Sequence, residues 1–186
     1  DYDSMLAVPA VWKSLQLTAG IISVMPLDEY TRSDQAATTE VRPSQLLSAP
    51  SASVPLEVWI YQHVEAQIMH GDAIGRIVNV DRTGWPTQVE LVPNTCVRVE
   101  RDRATGRLRW SFDNKPIPED QVWHVPGRPG RAGSPFGVGL IEYMATTAGI
   151  SLAARKYEAQ WFGDGAHPTS ILQTPTDPGA TGAETL

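Results

Sequence analysis

Cysteine is nearly absent from this sequence: Cys96 is the single one among 186 residues. One cysteine excludes an internal disulfide, and a zinc site built on cysteine would need further ligands of the same kind. The chain also lacks an uninterrupted apolar run of the roughly 18 to 20 residues that a membrane-spanning helix needs. These absences predict a protein of a reducing compartment that does not work in a membrane.

An excess of positive charge is lacking as well. The chain has 15 basic and 21 acidic residues, which gives a net charge of −6. Proteins that grip DNA tightly through its phosphates show a basic excess. The charge balance therefore argues against a tight DNA binder, but it is compatible with a protein past which DNA slides.

Catalytic motifs are missing too: the sequence has no Gly-x-Ser-x-Gly, no His-Glu-x-x-His and no paired cysteines. One alternative stays open, a small hydrolase that uses Cys96 or Ser170 as nucleophile and His167 as base. His63 and His70 lie seven residues apart on a predicted helix, whereas helical metal-binding pairs are usually three or four apart. The sequence predicts no enzyme, no metal site and no cofactor.

Apolar residues at helical spacing predict three helices. The first covers Pro9–Ser23, with proline in its first turn. The second covers residues 55–70, with Ser53 as its N-cap and Gly71 as its C-terminal stop. The third covers residues 134–162, which opens on Ser-Pro. In the first helix we expect one buried stripe, formed by Met5, Val8, Trp12, Leu15, Ala19 and Ile22.

Between the second and third helices the apolar period changes to two, which predicts a small antiparallel meander or partly open barrel packed on the first two helices. Trp110 and Trp123 are expected in its core. Residues 32–53 are predicted as a loop with at most one helical turn at 44–47. The predicted strands are 27–30, 73–80, 88–92, 96–101, 108–112 and 121–125, with one more at 169–173 before a linker at 174–183.

The third helix has two apolar sides. Ile141 and Met144 lie on one side, and Tyr157 and Trp161 lie nearly opposite, so the apolar face changes over near Gly149. We therefore expect Tyr157 and Trp161 to be partly exposed in one chain. They are candidates for contact with another subunit or with a different part of this chain.

Six short segments occur in a characteristic order along the chain: residues 10–26, 59–73, 91–93, 122–127, 133–135 and 162–168. In this order they resemble the large portal protein family of long-tailed bacteriophages. Each is a short pattern, and their shared order gives the resemblance its weight. Gly139 departs from the family pattern, because a better helix former is usual there, and this would let the third helix begin later.

The resemblance implies an α+β fold. Residues 1–133 would form the wing-like domain, in which two helices pack on a small, mostly antiparallel sheet. Residues 134–162 would form a long stem-like helix, and 163–186 the truncated start of a clip or linker region. Since the sequence begins at Asp1 without methionine and ends at Leu186, we expect it to be the N-terminal and middle part of a longer protein.

The resemblance also implies a function: a structural subunit of a ring, usually of twelve copies, through which DNA enters and leaves the capsid. Its partners would be further copies of itself, the terminase large subunit, head–tail connector proteins, scaffold or major capsid protein, and double-stranded DNA that passes non-specifically. It would reside at the portal vertex of the virion, and in the host cytoplasm during assembly. Arg155 and Lys156 are candidates for facing the DNA channel, and Tyr157 and Trp161 for the subunit interface.

Overall fold

The computed structural model describes residues 2–32, 38–130, 132–163 and 165 of the chain. Within these ranges two helices come first, a pair of strands and two further helices follow, and six strands then precede the long helix at the end of the described part. The helices are α1 (Tyr2–Leu6), α2 (Pro9–Ser23), α3 (Gln45–Ser48), α4 (Leu56–His70) and α5 (Leu140–Gly163). The strands are β1 (Glu29–Arg32), β2 (Thr38–Val41), β3 (Asp72–Val80), β4 (Pro86–Leu91), β5 (Val97–Arg101), β6 (Leu108–Phe112), β7 (Lys115–Ile117) and β8 (Val122–Pro126).

The strands of the described residues form two three-stranded antiparallel sheets and a separate two-stranded ribbon. The sheet orders are β4-β3-β8 and β5-β6-β7, and the ribbon is β1-β2. This confirms the α+β class and the antiparallel pairing, but the strands form two sheets where the sequence predicted one small meander or partly open barrel. The chain divides because β8 returns to pair along β3, with Ala73 opposite Val125. Such a pairing joins strands far apart in sequence, and the local pattern of either strand does not reveal it.

The buried side of α2 is rotated from the expected one. Val11, Leu15 and Ala19 are buried, whereas Trp12 and Ile22 are exposed. The buried residues are spaced by four, as in helix packing along an i±4 ridge, and this row faces α4. Met5 and Met69 complete the core between the helices.

The second predicted helix is confirmed, but its N-cap was not Ser53. The helix begins at Leu56 after Pro55, with no side-chain cap bond. The hydroxyl of Ser51 accepts the Ser53 N–H at 2.9 Å, which folds this segment back before the helix starts. At the other end Gly71 adopts the left-handed conformation, φ +91°, as expected of a helix stop.

The third helix begins at Leu140, later than the predicted Ser134. The Ser134 hydroxyl accepts the Phe136 N–H at 3.1 Å, which makes a local turn that competes with a helix. The next backbone donors are also engaged elsewhere, because the Val138 N–H bonds the Arg128 carbonyl at 3.0 Å. These bonds keep the segment out of the helix until Gly139.

Two strands were not predicted, β2 and β7. Asp113 and Asn114, both with positive φ, make a two-residue turn that pairs Phe112 with Lys115. The helical turn expected at 44–47 is confirmed as α3. The strand predicted at 169–173 and the linker at 174–183 lie outside the described residues.

Candidate functional site

The place where the sheets meet the start of α5 is built around one buried carboxylate, that of Asp72. Asp72 is the first residue of β3, directly after the turn at Gly71, and it is 5% exposed. Gly137 lies so close that a Cβ there would overlap the carbonyl oxygen of Gly71. The same carbonyl accepts the Gly127 N–H at 2.8 Å. Three chain segments therefore converge at the end of α4.

The Asp72 carboxylate binds two of these segments. Its Oδ1 accepts a bond from His124 Nε2 at 2.8 Å and from the Gly137 N–H at 3.0 Å. Its backbone carbonyl accepts the Asn94 side-chain amide at 2.8 Å. An ionised carboxylate only accepts hydrogen bonds, so His124 carries its proton on Nε2. We call Asp72, His124 and Gly137 the polar joint, because together they fix β8 and the segment before α5 to the start of β3.

Aromatic rings surround the histidine of the polar joint. The centroids of Trp110 and His124 lie 5.1 Å apart, and those of His124 and Phe136 lie 5.4 Å apart. Trp110 belongs to β6, so these rings bring the second sheet to the same point. The joint is thus closed to water on one side by apolar surface, which strengthens its polar bonds.

The short helix α1 links α4 to α5. The Tyr2 hydroxyl donates to Glu65 of α4, and the Tyr2 ring stacks on His70 at 5.6 Å. Burial, followed by the bond to Glu65, raises the pKa of Tyr2 well above its ordinary range. At the other end Arg155 of α5 donates to the carbonyl of Ala7 at 2.8 Å. The first half of α5 packs on the same core through Leu140, Ile141 and Met144.

The opposite side of α5 is largely exposed within the described residues, although the Arg128 guanidinium lies 5.3 Å from the centre of the Tyr143 ring. Six residues on this side, from Tyr143 to Trp161, are separated by alternating steps of four and three residues. Tyr157 is 65% exposed and Ile150 66% exposed, while Trp161 is partly buried and stacks on Tyr157 at 6.4 Å. This confirms the expected partial exposure of Tyr157 and Trp161. We call this row the α5 stripe: Tyr143, Thr147, Ile150, Ala154, Tyr157 and Trp161.

A second exposed apolar surface lies on α2 and the turn after it. We call it the α2 outer face, formed by Leu17, Ile21, Val24 and Met25. Leu17 is 65% exposed and Val24 72% exposed. The other side of α2 is the buried row against α4, so α2 has apolar residues on two sides, with polar residues such as Lys13 and Gln16 between them.

The residues of the hydrolase alternative are not brought together as a catalytic site by the described part of the chain. Cys96 lies in a 3-10 turn before β5, and a hydrogen bond with Asp113, followed by burial, raises the pKa of its thiol. A raised thiol pKa opposes the thiolate that a nucleophile needs. Ser170 and His167 lie outside the described residues.

The two histidines of α4, His63 and His70, contact aromatic side chains of the fold. His63 Nε2 accepts the Trp123 indole N–H at 3.2 Å, and burial lowers the pKa of His63 and of His70. Among the described residues no group of three metal-ligating side chains is found. Nor does any helix of the described chain have the length and apolar character to span a membrane.

The sequence reasoning missed the polar joint. The pair of Asp72 and His124 carries no local signal, since the two residues are 52 positions apart. It also missed the α2 outer face, and it placed Trp12 and Ile22 in the buried stripe although both are exposed, whereas Leu15 and Ala19 were placed correctly. The α5 stripe was partly seen, and counting at the alternating spacing of four and three would have given all of it.

Comparison with known proteins gives a consistent result. A family model described as phage portal protein matches residues 9–185. The "probable portal protein" of Streptomyces phage phiC31 is 25% identical over 187 aligned positions, which cover 91% of this chain and 40% of the relative. The chain therefore spans about two fifths of the length of that curated relative.

Two solved structures share the fold. An HK97 family phage portal protein from Corynebacterium diphtheriae superposes with a TM-score of 0.63 at 11% identity, covering 97% of this chain and 56% of that one. A chain from the virion of a native gene transfer agent particle superposes with a TM-score of 0.67 at 15% identity, covering 94% and 47%. At these identities the likeness establishes the fold.

Proposed function

The chain belongs to the phage portal protein family, and on that premise we propose that it is part of a ring-forming structural subunit through which double-stranded DNA passes. In this proposal residues 1–133 form the wing-like part, 134–162 the stem-like part and 163–186 the start of a clip or linker region. The ring, of twelve copies in our proposal, surrounds the DNA path at the portal vertex of the virion.

The α5 stripe is the observation that carries this proposal. An alternating spacing of four and three residues places side chains on one line along a helix, which is the spacing of helices that pack side by side. The stripe extends over 19 residues from Tyr143 to Trp161, which are 18 helical steps or roughly 27 Å at 1.5 Å per residue. Leaving Ile150 and Tyr157 in water forfeits roughly 1.5 to 3 kcal/mol each relative to burial. A neighbouring subunit would recover that free energy.

A closed ring of more than two subunits needs two different surfaces on each subunit, because each contact is heterologous. The chain offers two unlike apolar surfaces, the α5 stripe and the α2 outer face. We propose that the α5 stripe of one subunit packs against the α2 outer face of the next. Tyr157 and Trp161 are then interface residues, as the sequence suggested.

The net negative charge of the chain is compatible with a ring that lets DNA pass without binding it tightly. At −6 per chain, twelve copies would carry about −70, which favours repulsion of phosphates over adhesion. Lys156 is exposed and is the better candidate for facing the DNA path. Arg155 stays a candidate, although its guanidinium also bonds the carbonyl of Ala7.

The remaining parts of the proposal follow from family membership. The terminase large subunit, head–tail connector proteins and scaffold or major capsid protein are proposed partners, and the host cytoplasm is the proposed site of assembly. The subunit carries out no chemistry of its own in this proposal. The raised thiol pKa of Cys96 supports that reading against the hydrolase alternative.

Chemical cross-linking tests the heterologous contact. In a Cys96→Ser background, cysteines are placed on both surfaces, as Thr18→Cys on α2 and Ala154→Cys on α5. A short bis-maleimide should then join chains into a ladder that passes the dimer on a denaturing gel, because each chain links to two different neighbours.

The matched control moves the second cysteine to Ala159, which is also exposed on α5 but lies off the stripe. It should give at most a weak dimer band. If the Thr18/Ala159 pair produced the same ladder as the Thr18/Ala154 pair, the proposed interface would be wrong.

A further inference from the structure

The hairpin of β5 and β6 concentrates positive charge on an acidic chain. Residues 97–109 hold five arginines and two acidic residues, a net charge of +3, in a chain whose net charge is −6. The rest of the chain therefore carries −9. All five arginines are exposed. We propose that this arginine ribbon (Arg98, Arg101, Arg103, Arg107 and Arg109) is a binding surface for the phosphate backbone of double-stranded DNA.

Strand alternation places two of the arginines on the outward side of the second sheet, whereas Arg101 pairs with Leu108 on the other side, and the remaining two lie in the turn between the strands. Val97, Val99 and Leu108 point inward and pack on the core with Trp110 and Phe112. Arg98 and Arg109 alternate with these residues, so they point outward. In the register Arg98 lies opposite Ser111, and Arg109 opposite Glu100. The outward side of the hairpin is a row of polar and charged groups fixed on a rigid ribbon.

Three of the arginines have free guanidinium groups within the described chain. Arg109 pairs with Asp102, and Arg101 donates to the carbonyl of Gly106 at 3.0 Å. No described residue bonds the side chains of Arg98, Arg103 or Arg107. Asp102 is engaged by the hairpin tip itself, since its carboxylate accepts the Ala104 N–H at 2.8 Å. The structure thus holds the acid in place and leaves three cations facing solvent.

The composition of this surface favours nucleic acid over an acidic protein. Protein interfaces have an apolar or aromatic centre, and the outward side of β5 and β6 has no apolar side chain, since its residues are Arg98, Glu100, Arg109 and Ser111. Contact with phosphates rests on charge and on planar donors, and arginine supplies both. Such contacts position DNA without reading its sequence.

The acidic remainder of the chain keeps the expected binding weak and sensitive to salt, which is compatible with DNA that moves. Only the choice of DNA as the polyanion rests on the proposed function. The basic surface itself does not depend on ring formation.

Fluorescence anisotropy with a labelled 20-base-pair duplex of arbitrary sequence tests the proposal on the whole 186-residue chain, between 20 and 200 mM salt. The triple variant Arg98→Gln, Arg103→Gln, Arg107→Gln should bind about tenfold more weakly or worse at low salt. The slope of log K against log salt should fall by about 2 to 3, since each phosphate contact contributes about 0.9.

The matched control removes the same charge elsewhere, with Lys13→Gln, Arg42→Gln and Arg82→Gln, all exposed residues. It should change the affinity by less than about threefold. Equal losses in both triple variants, or no salt-dependent binding by the unmodified chain, would overturn the proposal.

Labelled poly-glutamate that binds as tightly as DNA would assign the surface to an acidic protein instead. If the chain formed the cross-linked ladder but did not bind DNA, only the arginine ribbon proposal would be wrong. If it bound DNA but formed no ladder, only the proposed contact between subunits would be wrong.

Discussion

At the scale of single residues, the Asp72 carboxylate adds side-chain hydrogen bonds between parts of the chain that lie far apart in sequence. It is buried, and it accepts hydrogen bonds from His124 and from the Gly137 N–H. A buried donor that loses its acceptor costs about 1 to 3 kcal/mol, because the desolvation is not compensated. The stability of the polar joint therefore depends on one carboxylate.

We expect Asp72→Ala to lower the free energy of unfolding by about 2 to 4 kcal/mol, since two donors lose their acceptor together. Urea unfolding followed by tryptophan fluorescence measures this change. Asp120→Asn, at an exposed carboxylate, is the control and should stay within about 0.5 kcal/mol of the parent. A loss for Asp72→Ala no larger than for the control would show that the joint does not stabilise the fold.

The environment of His63 predicts that the free energy of unfolding depends on pH. Its Nε2 accepts the Trp123 indole N–H, so the ring must be neutral at that nitrogen. Burial lowers the pKa of His63 from its ordinary value of 6.5. The unfolded chain therefore binds the proton more readily than the folded one. The stabilisation is present above pH 6.5 and is lost as the pH falls through the lowered value.

His63→Gln should flatten the dependence of unfolding free energy on pH between about 5 and 7. Glutamine retains an acceptor for Trp123 and removes the titrating ring. Part of the slope should persist, because burial also lowers the pKa of His70. Chemical denaturation at a series of pH values is the measurement. An unchanged slope in the variant would mean that His63 does not contribute.

At the scale of elements, helix α5 shows how far sequence reasoning reaches. Its existence and its two apolar sides follow from periodicity, which is a local property. Its start does not, because the Val138 N–H bonds the carbonyl of Arg128 instead of joining a helix. The same limit applies to β8, whose pairing with β3 divides the sheet. By contrast β7 follows from the turn at Asp113 and Asn114, a local signal that a closer reading would have used.

Gly149 lies in the middle of α5 with open space around the position of a Cβ. Gly149→Ala should raise the free energy of unfolding by roughly 0.5 to 1 kcal/mol, since glycine is a poor helix former. Gly137→Ala is the opposite case, because its Cβ would overlap the carbonyl oxygen of Gly71. That variant should lower the melting temperature. A Gly149→Ala variant less stable than the parent would indicate that the helix needs freedom to bend there.

At the scale of the whole molecule, the two apolar surfaces and the length of the chain bear on assembly. The chain spans about half the length of the two solved chains it resembles, 56% of one and 47% of the other. A ring is stabilised by contacts along the entire subunit, so a chain that makes only part of those contacts should associate more weakly. Family membership therefore does not by itself predict a stable ring from these 186 residues.

We predict that the 186-residue chain is a monomer or small oligomer at micromolar concentration, with weak association that rises with concentration. Sedimentation velocity over a hundredfold range measures it. The double variant Ile150→Ser, Tyr157→Ser should remove this concentration dependence, because both side chains lie in the α5 stripe. Its free energy of unfolding should change by less than about 1 kcal/mol, because both positions are exposed. Trp85→Ser with Val80→Ser, exposed residues at the β3–β4 hairpin, should leave the association intact. A stable dodecamer of the unmodified chain would contradict the predicted weak association, and equal effects of the two double variants would show that association does not use the α5 stripe.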